Sequence, residues 1–345
     1  MNVSRTQELG ATIKSSSMAA LANLKATHLR SLLTSIGGKT SGTKPQLLSR
    51  LQHEVHTNGK LARATPAHAP QRILSVDMGI KNLAFCVADI TAASTSPRAA
   101  ATAAAQPPPL AMHIAAWQRI SLLAAAPGTP PSGSTAGDAP SPFAPPQLSR
   151  TAHALVTGAL LPWAPAAILL ERQRFRSGGG AAVQEWTLRV NALEAMVWAV
   201  LRALGAGADL VAVEPARVAA FWLPRRRAVA KADKVGAVRG WVREGGCEGE
   251  GLRVTFGERA ARARDAFLGG PSVGRRSKVP AVSVDGSEES LDGEVSEGVG
   301  KLDDLADCLL QAAAWAKWKS NKDVLNGIWD DEDKIKEFAE KGMEG

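Results

Sequence analysis

Short apolar runs recur along this chain, and two of them end on a carboxylate. Ile73–Asp77 is one and Ala167–Glu171 the other, each about as long as a buried strand. Leu83–Ala88 and Leu210–Val213 are further apolar runs of strand length, and a strand over Met112–Leu122 stands out from polar surroundings. Between them the period changes. Leu148–Leu161 reads as a helix. Within 181–204, Trp186, Val190, Leu193, Val197, Val200 and Leu204 fall at steps of three and four, the stripe of an amphipathic helix. Pro215 suits a helix start, and Asp304–Trp318 is again helical. Strands first, then alternating helices and strands, predict an α/β fold, a mixed sheet flanked by helices.

The same pattern divides the chain. Residues 1–18 are polar and expected to be loose. Residues 19–60 carry two short leucine-rich helical stretches around Gly37-Gly38 and Gly42, a spacing that resembles the SAP motif, a small helical DNA-binding module. In that reading Lys25, Arg30, Lys39, Lys44 and Arg50 face phosphate while the leucines form a small core, and such contacts position DNA without reading its sequence. The plainer alternative is a basic helical hairpin docked on the main domain. Residues 72–320 form the core, with Ala-, Pro-, Ser- and Gly-rich insertions expected to be mobile at 91–147 and 244–300. Residues 321–345 read as an acidic helical tail.

Composition narrows the partners. The 345 residues carry a formal net charge of +8, which favours polyanions. No stretch is apolar and long enough to span a bilayer, so no membrane partner is expected. Cys86, Cys247 and Cys308 form no CxxC pair, which argues against a zinc site and a disulfide framework. Arg5 and Lys14 lie near the N-terminus, but Glu8 makes it a poor match to an acid-free transit peptide.

The candidate chemistry lies in three acidic places. Asp77 sits in Ser75-Val76-Asp77-Met78-Gly79-Ile80-Lys81-Asn82, Glu171 ends Ile168-Leu169-Leu170-Glu171, and Lys301-Leu302-Asp303-Asp304-Leu305-Ala306-Asp307 opens the last core helix. On a helix Asp303 and Asp307, or Asp304 and Asp307, share a face. Clustered carboxylates repel and raise one another's pKa, a problem that divalent cations remove. Mg²⁺ prefers oxygen ligands and keeps water for chemistry, and two such ions suit phosphodiester hydrolysis. Asp303 as a helix N-cap, Asp304 as a first-turn acid and Asp77 as a turn residue are the structural alternatives. The choice between Asp303 and Asp304 as ligand stays open.

The strings Val-Asp-Met-Gly-Ile-Lys-Asn, Glu-Arg-Gln-Arg-Phe-Arg and Lys-Leu-Asp-Asp-Leu-Ala-Asp resemble those of the RuvC-like branch of the ribonuclease-H superfamily, and more closely the fungal mitochondrial Holliday junction resolvases. The resemblance implies a ribonuclease-H-like mixed sheet and a mitochondrial homodimer. It implies paired nicking of four-way (Holliday) junction DNA with Mg²⁺ or Mn²⁺, two ions per site. It names Asp77, Glu171, Asp304 and Asp307 as catalytic, with Asp303 also a candidate ligand. Spacing in the bacterial relatives favours Asp304 with Asp307.

Basic residues surround these acids. Arg172, Arg174 and Arg176 alternate directly after Glu171, with Phe175 among them. Arg225, Arg226, Arg227, Lys231 and Lys234 make a second basic run, and Lys81 follows Asp77. All are candidate DNA contacts, suited to shape rather than base readout. The two-sided helix at 181–204 is the candidate dimer contact. Two other functions compete: a non-cleaving architectural DNA-binding protein, and an actin-like phosphotransferase, which the lack of a second Gly-rich phosphate loop disfavours.

Overall fold

The computed structural model describes residues 21, 23–57, 70–92, 107–122, 141–173, 181–204, 207–224, 229–269 and 302–344. It opens with a hairpin of α1 (Ala26–Ser35) and α2 (Lys44–Thr57). The sheet follows. β1 (Gln71–Asp77) and β2 (Leu83–Ala92) pair antiparallel, with Asp77 opposite Ala84. Gly79 makes their tight connection possible, since a Cβ there would meet the Asn82 carbonyl oxygen at 2.6 Å. β3 (Leu110–Ile120) continues the antiparallel order, with an irregularity opposite Val87/Ala88.

Alternation of chain and crossover then builds the parallel half. α3 (Pro145–Ala154) runs into a π-helical stretch, Leu155–Leu160, and a short 3-10 turn, Leu161–Trp163, before β4 (Ala167–Glu171). α4 (Ala181–Ala203) leads to β5 (Asp209–Val213), and then come α5 (Pro215–Trp222) and α6 (Lys231–Glu244). β6 (Gly246–Cys247), β7 (Leu252–Gly257) and α7 (Glu258–Phe267) precede the long α8 (Leu302–Gly327), and α9 (Glu332–Glu344) closes the described chain. The seven strands lie in the order β5-β4-β1-β2-β3-β7-β6, with β1, β4 and β5 parallel. This is the expected ribonuclease-H-like mixed sheet, extended at one edge by β7 and β6.

Both faces of the sheet are covered, which is why β1 reads as a continuous apolar run rather than an alternating one. Ile73, Ala84, Cys86, Ile114 and Leu169 pack on one side under α6, α7 and α8. Leu74, Val76, Phe85, Val87, Ile168 and Leu170 pack on the other under the α3 segment and α4. On α4 the buried stripe is Val190, Leu193, Val197 and Leu201, whereas Leu204, placed on that stripe by its spacing, is 45% exposed.

Three boundaries differ from the sequence reading. The insertion expected over 91–147 begins later, because β2 runs on through Ala92, and α3 already starts at Pro145. The insertion expected over 244–300 is structured in its first half. Leu252 and Val254 alternate with exposed Arg253 and Thr255, and Ala260, Ala263 and Phe267 are buried at helical spacing, a signal masked by the Gly- and Glu-rich surroundings. Residues 270–300 lie outside the described residues. Finally, α8 passes unbroken through residue 320, and the acidic tail is not separate. Leu325, Ile328, Trp329, Ile335 and Phe338 share one apolar cluster with Leu21, Leu24, Leu29, Leu32, Leu33, Leu47 and Leu51. The N-terminal hairpin completes its core with the C-terminal helices, as a docked hairpin would.

Candidate active site

Parallel pairing of β1 and β4 sets Val76 beside Leu170, so Asp77 and Glu171 leave the sheet side by side. α8 points its first turns at the same spot. One carboxylate oxygen each from Asp77, Glu171 and Asp307 lies within 4.8 Å of the others. Asp304 is near enough for its charge to act on Asp77 as well.

These acids hold one another's protons. Burial raises the Asp77 carboxyl well above the usual range, and the charges of Glu171, Asp307 and Asp304 push it further, as does a hydrogen bond with Glu171. Asp307 is also raised, by burial first, with Lys234 acting in the opposite direction. All the donors are hard carboxylate oxygens and mutual repulsion leaves them short of positive charge, so the set fits a divalent metal ion.

A stability test follows. The folded state binds the Asp77 proton more tightly than the unfolded chain does. The resulting stability is therefore fully present at or below the ordinary carboxylate range, about pH 4, and is lost as pH rises through the raised value. In EDTA the melting temperature is expected to fall across that window, and saturating Mg²⁺ or Mn²⁺ to remove the fall. Melting curves that ignore both pH and metal would contradict this site.

Two lysines of α6 reach the α8 acids. Lys234 Nζ lies 2.7 Å from Asp307 Oδ1, and Lys231 is paired with Asp303. The Asp303 hydrogen bond raises the Lys231 pKa, partly offset by burial. Asp303 is thus held by a lysine, while Asp307 faces Asp77 and Glu171 and Asp304 stands in charge range.

The frame behind these acids is a single amide. Gln311, one turn after Asp307 on α8, is 2% exposed. Its Nε2 lies 3.0 Å from Ser75 Oγ on β1, 3.2 Å from the Leu169 carbonyl on β4 and 3.4 Å from the Val76 carbonyl. The side chain therefore spans the three elements that carry Asp77, Glu171 and Asp307.

The basic candidates divide. Arg172 is largely exposed, with Nη1 3.5 Å from Glu214 Oε1. Lys81 Nζ sits 5.5 Å from the Trp186 ring centroid. Arg50 donates through Nη1 to the carbonyls of Lys39 and Ser41, so its guanidinium braces the hairpin turn at an exposed place. Arg30 is exposed on α1. Arg174, Phe175, Arg176, Arg225, Arg226 and Arg227 lie outside the described residues.

The family described as mitochondrial resolvase Ydc2 / RNA splicing MRS1 matches residues 73–325, from the start of β1 almost to the end of α8. The chain belongs to the Ydc2/MRS1 family. A relative from Schizosaccharomyces pombe, the mitochondrial cruciform cutting endonuclease 1, is 30% identical over 185 residues, covering 52% of this chain and 56% of that protein. The chain thus aligns with about half the length of this relative. The crystal structure of the yeast mitochondrial Holliday junction resolvase Ydc2 superposes with a TM-score of 0.52 at 22% identity, over 88% of this chain and 98% of Ydc2. That likeness supports the fold.

Within this Ydc2/MRS1 fold, residues not singled out from the sequence stand beside the acids. Gln311 is one, and the lone polar residue in Leu309-Leu310-Gln311-Ala312-Ala313 was its signal. Glu194 of α4 is another. It accepts from the Gln173 amide at 3.3 Å, two residues beyond Glu171, and burial raises its pKa. The same kind of signal marks it, since Glu194 is the lone polar residue in the apolar run Ala192–Leu201.

Proposed function

We propose that this protein is a structure-selective DNA endonuclease that binds and resolves four-way junctions by metal-dependent phosphodiester hydrolysis, acting in mitochondria as a homodimer. One observation carries the reading: the carboxylates of Asp77, Glu171 and Asp307 converge from two strand ends and a helix. The family name and the relatives' names point to the same activity and compartment.

In this reading Asp77, Glu171, Asp304 and Asp307 hold Mg²⁺ or Mn²⁺, two ions per site, with Asp303 kept on Lys231. Bound metal supplies Lewis-acid polarisation of the scissile phosphate and a water of lowered pKa. The protein does the rest. Asp77 and Glu171 would offer their side-by-side carboxylate oxygens to the ion. Gln311 keeps the two strand ends and α8 in register. Lys234 holds Asp307 from the outer side. Arg172, Arg174, Arg176, Lys81, Lys231, Lys234 and the run Arg225–Arg227 offer positive charge to the phosphates of branched DNA. The hairpin at 19–60 acts as a SAP-like module through Lys25, Arg30 and Lys44, with Arg50 bracing its turn. The main domain begins near residue 72 and takes in the whole of α8. α4 presents Leu188, 58% exposed, as part of the contact between two copies. Such a pair places two active sites on opposed strands. Sedimentation showing a monomer with and without DNA would remove the dimer.

The family name also includes an RNA-splicing protein, which makes a non-cleaving nucleic-acid binder the second reading. Its specific support is the lysine pairing of Asp303 and Asp307, which neutralises two of the acids without metal. A nicking assay separates the two. A labelled four-way junction and a linear duplex of the same sequence are incubated with Mg²⁺, Mn²⁺ or EDTA. Paired, metal-dependent nicks near the branch are the expected result. Tight binding without any cut in either metal would establish the binder instead.

A further inference from the structure

The N-terminal hairpin and the acidic site face one another across a single groove of about 990 Å³. Glu171, Gln173 and Lys234 line one side of it, Thr27, Arg30, Ser31 and Thr34 of α1 line the other, and apolar residues, among them Pro215, Ala219 and Leu223, complete the lining. The α1 residues fall at i, i+3, i+4 and i+7, one helix face, and Leu29, Leu32, Leu33 and Ile36 on the opposite face are buried. Lys25, Lys39 and Lys44 do not line the groove.

The wall is fixed to the core. Asn321 Nδ2 donates to the Ser35 carbonyl at 2.6 Å, and Arg217 Nη1 to the Gly37 carbonyl at 3.1 Å. Ser31 Oγ donates to the Ala339 carbonyl at 2.8 Å. Gly37, at φ +70°, lies so close to Trp318 that a Cβ would meet the ring at 2.4 Å. A domain on a flexible linker would not be held by so many contacts from α5, α8 and α9.

We infer that the Thr27/Arg30/Thr34 face of α1 is a fixed phosphate rail for the strand being cut, with Arg30 as a positioning residue that sets which phosphodiester reaches the carboxylates. The occupant is a nucleic-acid backbone. The groove is continuous with the acids through Glu171, it carries the cations Arg30 and Lys234, and Thr27 and Thr34 add hydroxyls that can donate to phosphate. The inference deepens the nuclease reading and rests on it. It differs from a tethered SAP module in two respects: the contact face is the groove side of α1, and its distance from the chemistry is set.

The test uses the full chain with Arg30→Ala, Arg30→Lys and Thr34→Asp, each on a labelled junction across a salt series, with nick positions mapped. Arg30 and Thr34 are not in the buried core, and circular dichroism confirms folding. For Arg30→Ala the expected result is roughly fivefold weaker binding and a salt slope smaller by about 0.9, the release of one phosphate contact. At saturation it cuts at near wild-type rate but over a broader set of positions. Arg30→Lys recovers the binding, and Thr34→Asp behaves like or worse than Arg30→Ala. Wild-type cutting combined with unaltered affinity and nick positions in both Arg30→Ala and Thr34→Asp overturns the rail and leaves the nuclease reading intact. A wild-type chain that neither binds nor nicks junctions overturns both.

Discussion

Asp77→Asn is expected to lower junction cleavage by about a thousandfold or more, some 4 kcal/mol of barrier, while junction binding persists. The carboxylate it removes ends β1, reaches Glu171 and Asp307, and feels Asp304. An amide offers metal one neutral oxygen where a charged carboxylate stood. The same change should stabilise the metal-free protein. It removes a buried acid whose ionisation three other carboxylates oppose, so near neutral pH Asp77→Asn is expected to melt higher than wild type in EDTA and to gain less from Mg²⁺. Activity and stability then move in opposite directions, as at other sites built for function. Single-turnover cleavage with melting curves in EDTA and in Mg²⁺ checks both halves. Wild-type cleavage by Asp77→Asn would remove Asp77 as a ligand, and a lower melting temperature in EDTA would contradict the repulsion.

Gln311→Ala is the second large effect, and it acts without touching substrate. Its amide spans Ser75, Val76 and Leu169 from the helix that carries Asp307. Truncation leaves a cavity and strands the Ser75 hydroxyl in a fully buried place. The expected stability loss is about 2–4 kcal/mol. Metal affinity should weaken by roughly 10- to 100-fold, the usual consequence of losing support behind a ligand set. Gln311→Met separates packing from positioning. It refills the space, so much of the stability returns, but it lacks the donor, so metal affinity stays low. Titration of Mn²⁺ into each folded variant reads this directly. Unchanged affinity in both variants would make Gln311 a packing residue only.

Much of this site was legible in the chain because two of its acids end apolar runs. A buried strand that stops on a carboxylate is costly unless the charge has a use, and Asp77 and Glu171 both declared themselves in that way. The α8 acids were harder. Helical spacing puts Asp303 and Asp304 equally within a turn of Asp307. Their surroundings differ through Lys231, brought from α6 to Asp303 by tertiary packing that no local pattern encodes. Arg50 shows the same limit, since its charge suits phosphate yet its guanidinium is spent on the hairpin's own carbonyls. The β7–α7 unit was hidden for a different reason: its strand alternation is short and sits within Gly- and Glu-rich sequence. The fold class survived these gaps because the strands around Asp77 and Glu171 carry the core.

The shared apolar cluster of the two chain ends also orders events during synthesis. Leu29, Leu33, Leu47 and Leu51 leave the ribosome early, but Leu325, Ile328, Trp329 and Phe338, which complete their core, come last. At about 5–20 residues per second, the wait is on the order of tens of seconds. Throughout it the nascent N-terminus shows its leucines to chaperones and to neighbouring chains. A message broken before the codon for Leu325 would still specify Asp77, Glu171, Asp304 and Asp307, yet its product would emerge with an N-terminus that cannot finish folding.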